Sequence, residues 1–498
     1  MIQNNHILPG DSRYKAVIDR RFNKQFVGRP EYVVVATSPE DVIVAVRDGV
    51  RDGKRIVATS GGHCLEGFVS DPDVQVVVDV SLMKLIEYDD SMRAIAVGAG
   101  ATVGETYRAL YERWGTVIPL GEYPGIGMGG HVAGGAFGFL CRELGLAADY
   151  LHAVEVVTVD AHGEVAITIA TRNASDAKHD LWWAHTGGGA GNFGIVTRYW
   201  FRDPDATGAD PRTILPRAPE SITTFRASWP WSAIDRNSFS TLARNYGTWC
   251  ERNASIDGRN ARLFGVLELH RSQFGSIVVR GGSTAGDGAH ALIEEHIVEI
   301  SAGIDAPSGL EVTRMSWLDF ALNPFPDLFT FPPGGVSVKT KDALLRRRLA
   351  DPQIDVAYDH LTNDAVDIMG GMLAFATYGG RVNVLAPGAT ASAHRGAIID
   401  MGCATGWIDR ADAASNIEWV RGIYRDLFAE SGGVPVPSDA YDGTLINHPD
   451  IDLADSELNT SGVPWCTLYY RDNYARLQRV KREWDPRNVF RHALSVRS

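Results

Sequence analysis

The chain is poor in cysteine, in basic runs and in uninterrupted apolar stretches, and each shortage removes a class of function. Only five cysteines occur in 498 residues (Cys64, Cys141, Cys250, Cys403 and Cys466). Odd in number and without CxxC spacing, they indicate neither a disulfide framework nor a zinc site, so no metal is expected and the thiols read as reduced and mostly buried. Lys and Arg number 48 against 61 Asp and Glu, a net charge of -13. No Lys/Arg-rich run or basic aromatic platform offsets that balance, which excludes nucleic acid as a partner. The one candidate membrane span, Tyr123 to Cys141, holds no Asp, Glu, Lys or Arg, but it contains Pro124, His131 and seven glycines between Gly125 and Gly138. That is the wrong composition for a lipid-facing helix, so no membrane partner is expected. The N-terminal "MIQNNHILPGDSRY" has neither a basic n-region nor an apolar h-region, which predicts a cytoplasmic address.

What is present is enough apolar sequence for large cores: 45% of residues are hydrophobic, and the length predicts two or three domains. From residue 30 to about 200, β-branched runs alternate with helical patterns. "EYVVVATS", "RIVATS", "VQVVVDVS" and "AIAVGAG" read as strands. "SPEDVIVAVRDGVRDG" reads as a helix with Ser38 at the N-cap and Pro39 at N1, and "TVGETYRALYERWG" as one closed by Gly115. "LHAVEVVTVDAHGEVAITIA" predicts two strands joined by a turn at Asp160 to Gly163. A Pro/Asp-rich connector near residue 205 marks a boundary. Beyond it, strands such as "LFGVLELHR", "GSIVVRGGS" and "MLAFATYGGRVNVL" mix with amphipathic helices such as "DGAHALIEEHIVEIS". The C-terminal "NYARLQRVKREWDPRNVF" predicts a helix stopped by Asp485-Pro486. The expected units are 1–205, 206–450 and 451–498.

Glycine is the residue in excess: 52 against the roughly 35 that a usage of ~7% would give. The surplus gathers at Ser60 to His63, at Gly98 to Gly100, at 121–138 and at "HTGGGAGNFGIV" from His185 to Val196. Glycines let backbone N–H groups approach an anion such as a diphosphate closely. "GIGMGG" at 125–130 matches G-x-G-x-x-G, yet it precedes no helical pattern with an acid about 20 residues on, so a Rossmann fingerprint fits poorly.

Taken in order, "SGGHCLEGF" (60–68), "VVDVSLMKLIE" (77–87), "VGAGATVGETY" (97–107), "GIGMGGHVAGGAFGFLCRELGLAADYL" (125–151), "WWAHTGGGAGNFGIVT" (182–197) and "YYRDNYARLQRVKREWDPRNVF" (469–490) resemble the FAD-linked oxidoreductases of the vanillyl-alcohol oxidase superfamily. The branch is the berberine-bridge-enzyme-like one, and the look is closest to actinobacterial enzymes that oxidise sugar hydroxyls or lactols on antibiotics. The resemblance implies an α+β protein: a two-lobed PCMH-type FAD-binding domain over 1–205, an α+β substrate domain with an antiparallel sheet over 206–450, and a berberine-bridge-like segment over 451–498 that returns to the FAD domain. It also implies that His63 is bonded to the 8α-methyl of the flavin, so that the cofactor is covalent FAD. By motif position, the cofactor shell comprises Ser60, Gly61, Gly62, Gly67, Gly121, Gly130, His131, Gly134, Gly135, Asp149, Gly191, Gly194, Val196, Asn473 and Asn488.

Three positions depart from the pattern. Where many relatives carry a second flavin-bonding cysteine, the run Gly121-Glu122-Tyr123-Pro124 has Tyr123, which cannot make a thioether and joins the candidate catalytic residues. Cys64 and Cys141 read as structural, with a second bond from Cys141 as the alternative. Ile126 stands where a valine accompanies oxidase behaviour, which leaves O2 or another electron acceptor open. The Tyr-x-Asn-Tyr-Pro-Asp run that carries the family's base is Leu445-Ile446-Asn447-His448-Pro449-Asp450 here. A phenol titrates near ~10 and an imidazole near ~6.5, so His448 needs less tuning to serve as base; Tyr378 is the second candidate. The expected reaction is two-electron oxidation of an alcohol or lactol carbon on a glycosylated or polyketide-type natural product by a monomer or homodimer. A flavin-dependent cyclase or isomerase, or a dehydrogenase, is the alternative.

Overall fold

A computed structural model describes residues 5–325, 335–368 and 370–498. Three sheets organise it. The first is small and mixed: Tyr32–Val35, Val76–Asp79 and Ile56–Thr59 run parallel with Val76–Asp79 in the middle, and His6–Ile7 adds an antiparallel edge. Val76–Asp79 is buried at every position, as expected of a central parallel strand. The crossover helix Pro39–Arg51 starts on a capping box in which Ser38 and Asp41 satisfy each other's backbone N–H groups.

The second sheet is antiparallel, in the order Ile86–Asp89, Ala94–Gly98, Ile195–Phe201, Leu151–Val159, Val165–Thr171. The turn after Val159 is the anticipated one, with Asp160 accepting backbone N–H bonds from His162 and Glu164. Val157, Val159 and Ile195 from this sheet share one apolar cluster with Val34, Ile56, Val76 and Val78 of the first and Val46 of its crossover helix. The two lobes are therefore welded through side-chain packing.

The third sheet has eight antiparallel strands, all between residues 221 and 443: Ser308–Ser316, Ser221–Pro230, Ser276–Ser283, Leu263–His270, Met372–Thr377, Ile399–Trp407, Ser337–Leu345 and Tyr441–Gly443. Helices Ala289–Ile300 and Ala413–Leu427 pack on it. The final helix, Tyr474–Trp484, ends before Asp485-Pro486 and lies against His179–Ala184, and Lys481 beneath it donates to the Asn192 carbonyl at 2.7 Å.

The α+β class and the antiparallel substrate-side sheet agree with the sequence expectation. One local reading does not, and one strand went unread. "MLAFATYGGRVNVL" stops being a strand at Thr377, because Gly379 and Gly380 have φ of +85° and +59° and turn the chain into a short 3-10 helix. Strand Ser337–Leu345 was hidden by Lys339, Lys341 and Asp342 within it, charges that a buried strand ordinarily excludes. The charge-free stretch 123–141 contains only short helical turns, Met128–His131 and Val132–Gly134. Among the described residues, no helix is long and apolar enough to cross a membrane.

Candidate active site

All three sheets contribute to one cavity of about 720 Å³, a size well suited to a large cofactor together with part of a substrate. Ser60, Gly61, Gly62, His63, Gly121, Tyr123, Gly130, His131, Gly134, Gly191, Gly194, Val196 and His448 all lie on its wall. The sequence expectation thus converges on one place, although five expected cofactor residues stand off the wall. Gly67 packs beside Phe26, and Gly135 abuts Ser392. Asp149 forms a buried ion pair with Arg395 at 2.7 Å. Asn473 donates to the carbonyls of Pro387 and Thr390, and Asn488 adopts a left-handed turn (φ +52°) beyond the last helix. These five serve the framework around the cavity rather than its surface.

The glycine-rich floor is built by close approach. A Cβ on Gly61 would lie 2.3 Å from the Gly127 nitrogen, and one on Gly127 would lie 2.2 Å from the Gly61 nitrogen. Neither position tolerates a side chain without separating the two segments. Next along the chain, His63 stacks on Phe22 (centroids 5.1 Å apart, planes at 18°) and sits 4.8 Å from the Tyr123 ring. Burial lowers its pKa to about 4, so the imidazole is neutral near pH 7 and keeps a nitrogen lone pair. His131 has a different assignment: the Gly121 N–H donates to its Nε2 at 2.8 Å, and burial lowers its pKa to about 3. It fastens the glycine turn. Asn447 straps the same turn, donating to the His131 carbonyl at 3.0 Å and accepting from the Ala136 N–H at 3.1 Å.

His448 is held by a carboxylate. Its Nδ1 bonds Asp342 Oδ1 at 3.0 Å, while Asp342 Oδ2 accepts from Thr444 Oγ1 (3.0 Å) and the Leu445 N–H (2.8 Å). Burial pushes the Asp342 carboxyl up, but the hydrogen bond and charge of His448 and its other donors outweigh this, and the net shift is down. Asp400 lies beside it and moves the other way: burial, then the charge of Asp342, raise its pKa far above the carboxylate range. Two adjacent buried carboxyls cannot both ionise, so Asp342 carries the charge and Asp400 the proton.

Tyr378 is fully buried behind Phe137, edge to face at 5.4 Å, and does not line the cavity. Burial raises its pKa well above 10, which makes phenolate formation costly and corrects its candidacy as base. Cys141 is likewise buried, off the wall, with its thiol pushed up to about 12 by burial. Cys64 is on the wall, its thiol raised to about 11. Ile126 lines the cavity as well.

Several wall features were not anticipated: Phe22 and Phe68, His492 stacked on Phe68 (4.1 Å), and the Glu268–Arg280 pair at 2.7 Å. Asp342 and Asp400 were also missed, because a strand position carries no motif. A buried ion cluster joins the segments that follow the two histidines. Lys339 Nζ contacts Glu66 and Asp450 at 2.7 Å each, and Lys341 contacts Asp450 at 2.5 Å and Asp452 at 3.0 Å.

The donor set fits a flavin: a neutral imidazole in an aromatic niche, glycine backbone flanking it, and a Gly130 Cβ position that meets no protein atom within 4 Å. Residues 30–168 match the FAD binding domain family, and residues 444–497 match the family described as berberine and berberine like. Fold, site and matches together define an FAD-linked oxidoreductase. The chain is 46% identical to the aclacinomycin-N/aclacinomycin-A oxidase of Streptomyces galilaeus over 98% of its own length and 88% of that protein's. It belongs to the berberine-bridge-enzyme-like family. A crystal structure of aclacinomycin oxidoreductase superposes with a TM-score of 0.96 at 45% identity, covering 99% of both chains. A glycopeptide hexose oxidase complexed with teicoplanin gives 0.94 at 41%, covering 99% of this chain and 98% of that one.

Proposed function

We propose that the protein oxidises an alcohol or lactol carbon on a sugar-bearing or polyketide-type natural product, with FAD attached covalently through His63 and His448 as the base. The observation that carries this reading is the His448–Asp342 bond at the cavity wall. With Nδ1 committed to Asp342, Nε2 is the nitrogen left for a substrate hydroxyl. Names among the relatives, an aclacinomycin oxidase and a hexose oxidase, support the substrate class.

Bound FAD supplies a two-electron acceptor that takes the carbinol hydrogen as hydride. The chain's part is to remove the hydroxyl proton: His448 takes it, and the resulting imidazolium is stabilised by the charged Asp342 behind it. The products balance as a carbonyl compound, a hydride on the cofactor and a proton on His448. O2 or another acceptor then removes the electrons. At the other site, attachment would join an imidazole nitrogen of His63 to the 8α-methyl carbon with loss of one proton from each, the cofactor supplying the two-electron oxidation that the new bond requires and the same acceptor taking the electrons. The low basicity of His63 keeps its lone pair available for that bond. Tyr123 packs on the tethering imidazole and so helps set its orientation.

Peptide mapping of acid-precipitated protein by mass spectrometry tests the attachment. Flavin mass is expected on the peptide containing His63 and on neither the Tyr123 nor the Cys141 peptide. Flavin on the Cys141 peptide would refute single attachment. Anaerobic mixing with an anthracycline glycoside or a hexose should bleach the oxidised flavin band; turnover without bleaching would refute hydride transfer.

A further inference from the structure

The eight-stranded sheet turns one face to the cavity, and beside the Glu268–Arg280 pair that face carries a stripe of mostly small side chains. Met372, Ala374 and Ala376 alternate along one strand, and Ala404, Gly402 and Asp400 pair with them in register on the next. Val338 and Thr340, four and two residues before Asp342, continue the surface on the third strand. A Cβ on Gly402 would meet no protein atom within 4 Å, so the space over it is open. Asp400 is the one ionisable side chain in this stripe of six. It is 6% exposed, and its Oδ1 has no hydrogen-bond partner among the described residues. Donor or acceptor atoms of Asp400, Asp342 and His448 lie within 4.8 Å of one another.

A buried acceptor without a partner is costly, and it is retained where a ligand completes it. Asp400 and Asp342 share a hydrogen bond between their carboxyls, and Asp400 also lines the cavity, so its carboxyl presents there an acceptor that calls for an O–H or N–H donor. The proton abstracted by His448 and the group met by Asp400 must then belong to atoms a few ångströms apart on one substrate. Neighbouring hydroxyls of a sugar ring meet that requirement.

We propose that Asp400 is a specificity-determining residue that accepts a hydrogen bond from a hydroxyl on the carbon adjacent to the one oxidised, so that the substrate class is a vicinal diol or a lactol with a neighbouring hydroxyl. The inference rests on the function proposed above and narrows it. An acidic pair with a histidine could also suggest a cation site, but a proton shared between the two carboxyls already balances their charge.

D-glucose and 2-deoxy-D-glucose, which differ only in the hydroxyl next to the anomeric carbon, are the probes. The readout is the rate constant of anaerobic flavin reduction in the covalent holoenzyme. The parent enzyme is expected to prefer glucose by ~10–100-fold, the cost of leaving one buried acceptor unpaired. In Asp400→Leu that preference should collapse to within about threefold, chiefly through slower reaction of glucose. Asp400→Asn keeps an acceptor oxygen and an N–H for Asp342, so it should retain the preference even if Asp400→Leu folds poorly. Equal losses on both sugars in Asp400→Leu, or a collapsed preference in Asp400→Asn, would overturn the proposal. Reduction by both sugars without preference in the parent overturns it too, while leaving the oxidase reading standing. Failure of every hexose to reduce the flavin removes that reading and this one together.

Discussion

The two histidines at the heart of the site occupy environments of opposite kind. His63 lies between Phe22 and Tyr123, and burial alone sets its basicity, which falls to about 4. His448 bonds a carboxylate that is itself fed by Thr444 and Leu445. The same side chain is thereby divided into two trades. On the function proposed above, the imidazole buried without a counter-charge keeps its lone pair for a covalent bond, and the one backed by a carboxylate takes the substrate's proton. His131 shows a third setting, in which a backbone N–H occupies the ring nitrogen and leaves the residue structural.

Substitutions can break this contrast. The largest effect is expected at His448: replacing it with Ala should slow flavin reduction by ~10²–10⁴-fold, the range for losing a general base, with covalent flavin unaltered by mass spectrometry. Next is Asp342→Asn, which keeps the shape but removes the charge behind the base; ~10–100-fold slower reduction is expected, read by stopped-flow absorbance. His63→Ala should abolish acid-stable flavin attachment and slow turnover about tenfold, since each ~30 mV lost from a two-electron couple is worth a factor of ten. These three outcomes would keep the trades separate; loss of attachment in His448→Ala would merge them.

The smallest effect concerns stability. Asp400 holds its proton in the folded protein, where burial and the charges of Asp342 and Glu122 raise its pKa, whereas the unfolded chain releases it near ~3.9. Above that pH the unfolded state binds fewer protons, so this residue's contribution to stability is lost as pH rises. Asp400→Asn should therefore match the parent near pH 4 and gain on it progressively as pH rises toward 8, measured by denaturant unfolding at fixed pH.

The sequence was informative where chemistry runs in consecutive residues. Ser60 to His63, 121–134 and the run at Asn447-His448 could be read as units, because each is a short segment whose glycines or imidazole meet the cavity directly. Helix and turn signals were equally local: Ser38 with Asp41, and Gly115 at φ +67°. Asp342 and Asp400 were not legible, since what makes them a pair is sheet register: Asp342 lies opposite Gly402 and Asp400 opposite Leu344. Phe22 reaches the cavity only through tertiary folding, and no pattern near it announces it. Tyr378 fits a motif, yet three-dimensional packing puts Phe137 in front of it. Asp149 and Asn473 likewise fit their motifs while their side chains face neighbouring segments.

The lysine-carboxylate cluster ties Glu66, three residues after His63, to Asp450, two residues after His448, through a single ammonium group on the intervening sheet. On the function proposed above, a yoke of this kind fixes the interval between the anchoring imidazole and the base. Neither loop can drift without dragging the other. On the same proposal, variation in substrate falls to the strand face around Ala374, Gly402 and Ala404, where a wider or narrower group has room while that interval stays the same.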